Sequence, residues 1–216
     1  MCGRFVFFTP DEFEEYKEVL RRIAKSLKAG ISVLDVPENV LPKGEIYPGN
    51  TALVVPSSDT QQRSLQIMNW GFPLKPESSQ KIINARSESI ETKRTFKKCL
   101  EFKRCVIPAV GFFEWKKTES GKIKNLIKIS GGSTMYMAGL YDEFIHRDKG
   151  KILCFTIITT PANFQVSTIH DRMPAVLEES HLELWLDNRI FNKYRDKMPL
   201  ILKPYNGQLE ILPLYA

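Results

Sequence analysis

No apolar run in this 216-residue chain is longer than a β-strand, so nothing in it reads as a membrane-crossing helix. Cysteine and histidine are scarce. The four cysteines (Cys2, Cys99, Cys105, Cys154) include no C-x-x-C pair, and the three histidines (His146, His170, His181) lack the spacing of zinc ligands. A disulfide scaffold and a metal centre are therefore not expected, and neither is a cofactor. The N-terminus lacks the basic, apolar and small-residue succession of a signal peptide, which makes a cytoplasmic protein with reduced thiols the expectation. Repeats and low-complexity tracts are also missing, which excludes solenoids and disordered linkers. The length suffices for a sizeable core in one large domain or two small ones.

What the chain does have is an excess of positive charge, formally +6. Such a balance favours polyanionic partners. Arg86, Lys93, Arg94, Lys97, Lys98, Lys103 and Arg104 crowd one segment, and Lys116 and Lys117 follow. Lys97 and Lys98 by themselves read as a solvated helix face.

The chemistry concentrates at the start, Met1-Cys2-Gly3-Arg4. With Met1 removed, Cys2 carries an α-amine and a thiol on neighbouring carbons, with ordinary pKa values near ~8 and ~8.5. An aldehyde meeting that pair forms an imine with the amine. The thiol then closes on the imine carbon to give a five-membered thiazolidine. The closure is intramolecular, and such steps reach effective molarities of roughly 10⁵ M or more. An internal cysteine cannot do this, because its amine is locked in a peptide bond. An idle, frayed terminus is the competing reading, and these four residues alone do not displace it.

Taken in order, residues 2–8 read as a strand, and Thr9-Pro10-Asp11-Glu12 starts a helix with a capping box that runs to Gly30. Residues 31–50 are rich in Pro and Gly and read as loop. Strands are expected at Thr51–Val55, Leu65–Trp70, Lys81–Asn84, Arg104–Ile107, Phe112–Trp115, Ile123–Ile129, Thr134–Leu140, Lys151–Thr159 and Ala175–Leu177. Helices are expected from Ser87 or Ser89 to about Phe102 and over Glu179–Leu186, with a packed strand at Ile211–Leu214. The pattern is β-rich α+β with mainly antiparallel pairing. Trp70 and Phe72 on one turn suit either a core or a base-stacking surface.

Two residues stand out against this background. Glu114 interrupts an aromatic strand and shares a face with Phe112 by period-two alternation. It faces solvent, or, if that face is buried, it is a candidate general acid. His170 lies in a loop before Asp171, Arg172 and a Met-Pro break, where an imidazole can move protons near neutrality and Asp171 can orient it.

Four separated pieces, Met1-Cys2-Gly3-Arg4, Asn84-Ala85-Arg86-Ser87-Glu88, Arg104 through Trp115, and His170-Asp171-Arg172-Met173-Pro174, together resemble the SRAP family of abasic-site processing proteins. Trp70-Gly71 and Ala138-Gly139-Leu140 look like lesser family motifs. The resemblance implies a single SRAP domain over residues 1–216, with a largely antiparallel, barrel-like sheet core and flanking helices. It implies a monomer that binds single-stranded DNA and links covalently to the ring-opened abasic sugar through Cys2. By the same matching, Asn84 holds the N-terminus, Glu114 shuttles protons, and His170 acts on the sugar hydroxyl. Arg4, Arg86 and Arg172 grip phosphates, Trp70 contacts bases, and Thr159 joins the pocket. Lyase-type strand cleavage can accompany the crosslink. Two competing readings are a cysteine-dependent autopeptidase using Cys2 and His170, and a basic DNA-binding module with no chemistry.

Overall fold

A computed structural model of the chain describes residues 2–7, 25, 44–60, 63–75, 78–132 and 134–215. The helix expected over Thr9–Gly30 and most of the loop over 31–50 lie outside the described residues. The strands are β1 (Phe5–Val6), β2 (Glu45–Ile46), β3 (Thr51–Pro56), β4 (Gln66–Trp70), β5 (Phe72–Pro73), β6 (Lys81–Ile82) and β7 (Asn84–Arg86). They continue with β8 (Arg104–Ala109), β9 (Gly111–Thr118), β10 (Gly121–Ile129), β11 (Met135–His146), β12 (Gly150–Pro161), β13 (Arg172–Pro174), β14 (Val176–Leu177) and β15 (Leu209–Leu214). Helices are α1 (Arg94–Phe102), α2 (Phe164–Ser167), α3 (Glu179–Leu186), α4 (Asn188–Lys193) and α5 (Met198–Ile201).

Strands β12, β4, β3, β8 and β11 pair in that order, and β11 pairs back onto β12, closing a barrel. All its pairings are antiparallel except β12 with β4. Short β7 and β13 extend β12 along its far half, β7 parallel and β13 antiparallel. A second sheet of order β15-β10-β9-β1-β2 packs beside the barrel.

Period-two alternation explains how one wall serves two cores. In β3, Leu53 and Val55 join a cluster with Phe96, Leu100, Leu182 and Trp185 from α1 and α3. Ala52 and Val54 point the other way and join Phe5, Phe112 and Ile127 of the second sheet. Both faces of the barrel strands are thus buried, which accounts for their nearly unbroken apolar sequences. Gly139 stands where β11 passes its neighbours closely. A Cβ there would lie 2.5 Å from Ile107 Cδ1 and 2.9 Å from the Thr156 carbonyl oxygen.

Arg104 is fully buried rather than part of a basic surface. Its guanidinium donates to the carbonyls of Leu100, Glu101 and Trp185 and to Asn188 Oδ1, and lies 3.7 Å from the centre of the Phe191 ring. A cation at two helix C-termini supplies the donors that their last carbonyls lack. Burial pushes the Arg104 pKa down to about 9.

Most expected elements appear within a few residues of their predicted ends, and Glu179–Leu186 matches throughout. The helix predicted from Ser87 is a 3₁₀ turn at Ser87–Ser89 followed by α1, which begins only at Arg94. The C-terminal strand is less packed than expected, with Leu212 and Leu214 exposed on the sheet edge.

Trp70 and Phe72 are core residues, and the base-stacking role does not fit them. Trp70 is fully buried, edge-on to Phe5 (5.1 Å between centroids) and stacked with Phe155, and its Nε1 donates to the Ile83 carbonyl at 3.0 Å. Phe72 packs on Phe96 and Phe144. Trp70→Ala is expected to cost about 3–5 kcal/mol of folding stability. Urea unfolding measures this, and a loss below about 1 kcal/mol would contradict the assigned core role.

Candidate functional site around Cys2

Residue 2 is held in place by the strand that follows it. Phe5 of β1 pairs with Phe112 of β9, and the Phe113 amide donates to the Arg4 carbonyl at 2.9 Å. Continued outward, that register sets Gly3 opposite Glu114. From the barrel side, Asn84 Nδ2 donates to the Cys2 carbonyl at 2.9 Å. Cys2 is thereby clamped between the two sheets and is fully buried. Its thiol faces the Arg4 carbonyl at 3.9 Å. Burial, and next the negative charge of Glu114, push that thiol's pKa far up. Glu114 itself is only 4% exposed, so the solvent-facing reading of this glutamate is excluded. Asn84 Oδ1 is also buried and accepts no hydrogen bond among the described residues.

Residues 84–88 and 159–172 form a second group along β12. Asn84 pairs with Ile157, Arg86 with Thr159, and Pro161 with Arg172. Thr159 is fully buried, so it supports a neighbour rather than touching a ligand as predicted. Its carbonyl and hydroxyl both accept from Arg172 Nη2, at 2.6 and 3.3 Å. The other edge of the Arg172 guanidinium meets Glu88 in a two-pronged pair of 2.5 and 3.0 Å. Arg86 is exposed. A groove of about 470 Å³ runs past it, lined by Ile82, Asn84, Arg86, Lys93, Thr95 and Phe96.

His170 is half-buried beyond this group. Its Nδ1 lies 2.8 Å from Asp171 Oδ1 and accepts the Arg172 amide at 3.0 Å. The neutral ring takes the amide's hydrogen bond at Nδ1 and carries its proton on Nε2. The protonated ring donates Nδ1–H to Asp171. Asp171 thus sits where the sequence suggested, beside the imidazole. The Ile157-to-Pro161 step separates the Asn84 and His170 ends of the row by about 13 Å at ~3.3 Å per strand residue.

Arg4 turns to the other side of the site. It donates to Glu45 Oε2 at 3.0 Å and lies between the Tyr47 and Trp115 rings, 4.2 and 4.8 Å from their centroids. Lys124 also pairs with Glu45 and sits 4.3 Å from the Phe113 ring centre. Burial works against ionising Glu45, but Lys124 and Arg4 outweigh it and hold the carboxyl below its ordinary range. A shallow groove of about 420 Å³ opens here, lined by Trp115, Lys122, Lys124 and Tyr215 among others.

The structure therefore gathers Cys2, Asn84 and Glu114 at one point, with Arg86 beside them. Arg172 and His170 stand further along β12, and Trp70 acts only from beneath. Sequence reasoning did not single out Glu88, Trp115 or Tyr215. An aromatic next to lysines in the Glu114-Trp115-Lys116-Lys117 run was the available signal for Trp115. Among the described residues, no group of three or more His, Cys, Asp or Glu could hold a metal, and no helix is long and apolar enough to cross a membrane.

A family model described as SOS response associated peptidase (SRAP) matches residues 1–215. The chain belongs to the SRAP family. It is 32% identical to the abasic site processing protein YoqW of Bacillus subtilis over 219 residues, covering 96% of this chain and 88% of that one. It is 29% identical to the abasic site processing protein YedK of Escherichia coli over 196 residues, covering 89% and 82%. A crystal structure of a protein from Bacteroides thetaiotaomicron shares the fold, with a TM-score of 0.80 and 24% identity over 99% of this chain and 92% of that one.

Within this SRAP domain, the hydrogen bonds from Arg172 hold the Glu88 pKa down to about 2. A depressed carboxyl pKa stabilises the fold fully above its unfolded value of ~4.3, and that contribution disappears as pH falls through the folded value. The stability gap between wild type and Glu88→Gln should accordingly be present at pH 6 and shrink between about pH 4.3 and 2. Thermal melts across that range test it, and a gap independent of pH would contradict the pairing.

Proposed function

We propose that this chain processes abasic sites in single-stranded DNA by covalent capture at Cys2 after Met1 is removed. The observation that carries the reading is the clamp on residue 2. Asn84 holds the Cys2 carbonyl, β1 pairing fixes the backbone, and a buried Glu114 lies close enough to raise the thiol. The liberated α-amine would emerge at that point, where the Asn84 Oδ1 is available to accept one of its protons.

The reaction follows from these groups. The neutral amine attacks the open-chain aldehyde carbon, forming a C–N bond, and a proton reaches the former carbonyl oxygen. The remaining N–H proton then passes through the Glu114 carboxylate to that oxygen, which leaves as water and gives a neutral imine. The Cys2 S–H then adds across C=N: sulfur bonds to carbon, and the thiol proton passes through Glu114 to nitrogen. The product is a thiazolidine, formed with net loss of one water. A thiol held protonated by burial suits this order, since the amine attacks first and the sulfur is needed only for closure. His170 Nε2, at the far end of the row, serves the sugar hydroxyl during ring opening. Arg86 and Arg172 hold the flanking phosphates, and Trp115 offers a face for a neighbouring base.

The peptidase reading is less well served. A Cys–His dyad needs a thiolate, and here burial and Glu114 oppose one, while His170 Nδ1 is occupied by Asp171 and the Arg172 amide. A purely electrostatic DNA-binding module leaves the clamped terminus and buried Glu114 without a role.

Processed protein mixed with an abasic single-stranded oligonucleotide is expected to give a denaturation-resistant adduct. Its mass should equal protein plus DNA less one water. Cys2→Ala should form no stable adduct, and Asn84→Ala should slow formation about tenfold or more, as a loosened catalytic geometry commonly does. An equal yield from Cys2→Ala, or no adduct from wild type, would overturn the proposal.

A further inference from the structure

The Glu88–Arg172 pair joins the turn after β7 to β13 across the row of site residues. Its two partners are held very differently. The Arg172 side chain is 10% exposed, and its guanidinium is fixed from beneath by the Thr159 carbonyl and hydroxyl. The Glu88 side chain is 50% exposed, on a short 3₁₀ turn, with Ser87 Oγ donating to it at 3.2 Å. If the pair opens, the cation stays where it is and the anion leaves toward solvent. A carboxylate bound by both prongs of a guanidinium also has the geometry of a phosphate in the same fork. Exposed Arg86 stands beside it, since Arg86 pairs with the same Thr159 that carries Arg172.

We infer that Glu88 is a built-in competitor for nucleic-acid phosphate: its carboxylate occupies the Arg172 fork in the free protein and is exchanged for a backbone phosphate when a strand binds. This rests on the nucleic-acid reading above and deepens it. Arg86 makes the first, unmasked contact. Arg172 becomes available only to a phosphate brought close enough to replace Glu88. The free protein thereby presents one less uncompensated cation to passing polyanions, and seating a strand requires correct placement along β12.

The test uses the 216-residue chain carrying Cys2→Ala, and a fluorescent single-stranded oligonucleotide at low salt that is either intact or carries a tetrahydrofuran abasic analogue, which has no aldehyde, so that only non-covalent binding is read. Glu88→Gln keeps the side-chain size and removes the charge. It should tighten binding about three- to fivefold, the upper end being what an exposed ion pair of ~1 kcal/mol corresponds to. In an Arg172→Gln background the same change should have no effect, since the gain acts through that fork. If Arg172→Gln does not fold, Arg172→Lys replaces it, and the gain should shrink because an ammonium offers no fork. Unchanged or weaker binding by folded Glu88→Gln would overturn the inference and leave Glu88 as a strut for Arg172. So would an equal gain with and without Arg172. Crosslinking by protein with Cys2 intact is scored separately. Its failure would remove the capture chemistry while the exchange could still be read on the intact strand.

Discussion

The hydrogen bond from Asn84 to the Cys2 carbonyl is the contact on which the site depends. It ties the first residues of the chain to β7 on the barrel, while β1 pairing ties them to β9 on the second sheet. A terminus held at one point would fray, because fixing each backbone residue costs about 1–2 kcal/mol of conformational entropy. Residue 2 is instead held from two sheets, with Phe5 edge-on to Trp70 and paired in the ladder with Phe112. The register of β1 on β9, continued outward, then brings buried Glu114 opposite Gly3.

Charge around the site is largely compensated within the protein. Arg4 and Lys124 share Glu45, Arg172 is matched by Glu88, and Arg104 is spent on helix ends. The formal excess of positive charge is therefore not a measure of binding strength. The cations exposed near the site are Arg86 and, around the start of α1, Lys93, Arg94 and Lys97. On the proposed function, long-range attraction and final grip fall to different residues, which separates a salt-sensitive encounter from a geometry-sensitive seating.

The sheet elements were legible because alternation and turn residues mark them locally. The β11 strand ran past its predicted end at Leu140 because its outer residues, such as Asp142 and Glu143, are polar yet paired in the ladder. Closure of the barrel through β11 and β12 was suggested by family resemblance and not by any local pattern. Cys2 and Glu114 could be named as candidates, since each is an odd residue in its surroundings, whereas Asn84 was named through the family resemblance. Their convergence was implied only by the family resemblance, because the contact between Cys2 and Asn84 joins residues 82 apart along the chain and leaves no local pattern. Trp70 and Thr159 were misread for one reason: a sequence shows that a side chain is large or polar but not which way a strand turns it. Glu88 was passed over because an exposed glutamate in a turn looks ordinary until its partner is located.

The central claim is that the α-nitrogen and sulfur of residue 2 converge on one aldehyde carbon. Peptide mapping of the purified DNA adduct tests this most directly. Trypsin should release Cys2-Gly3-Arg4 carrying the sugar, with its thiol unreactive to alkylation under denaturing conditions. A sugar attached to a lysine, or an adducted Cys2 peptide whose thiol still alkylates freely, would contradict it.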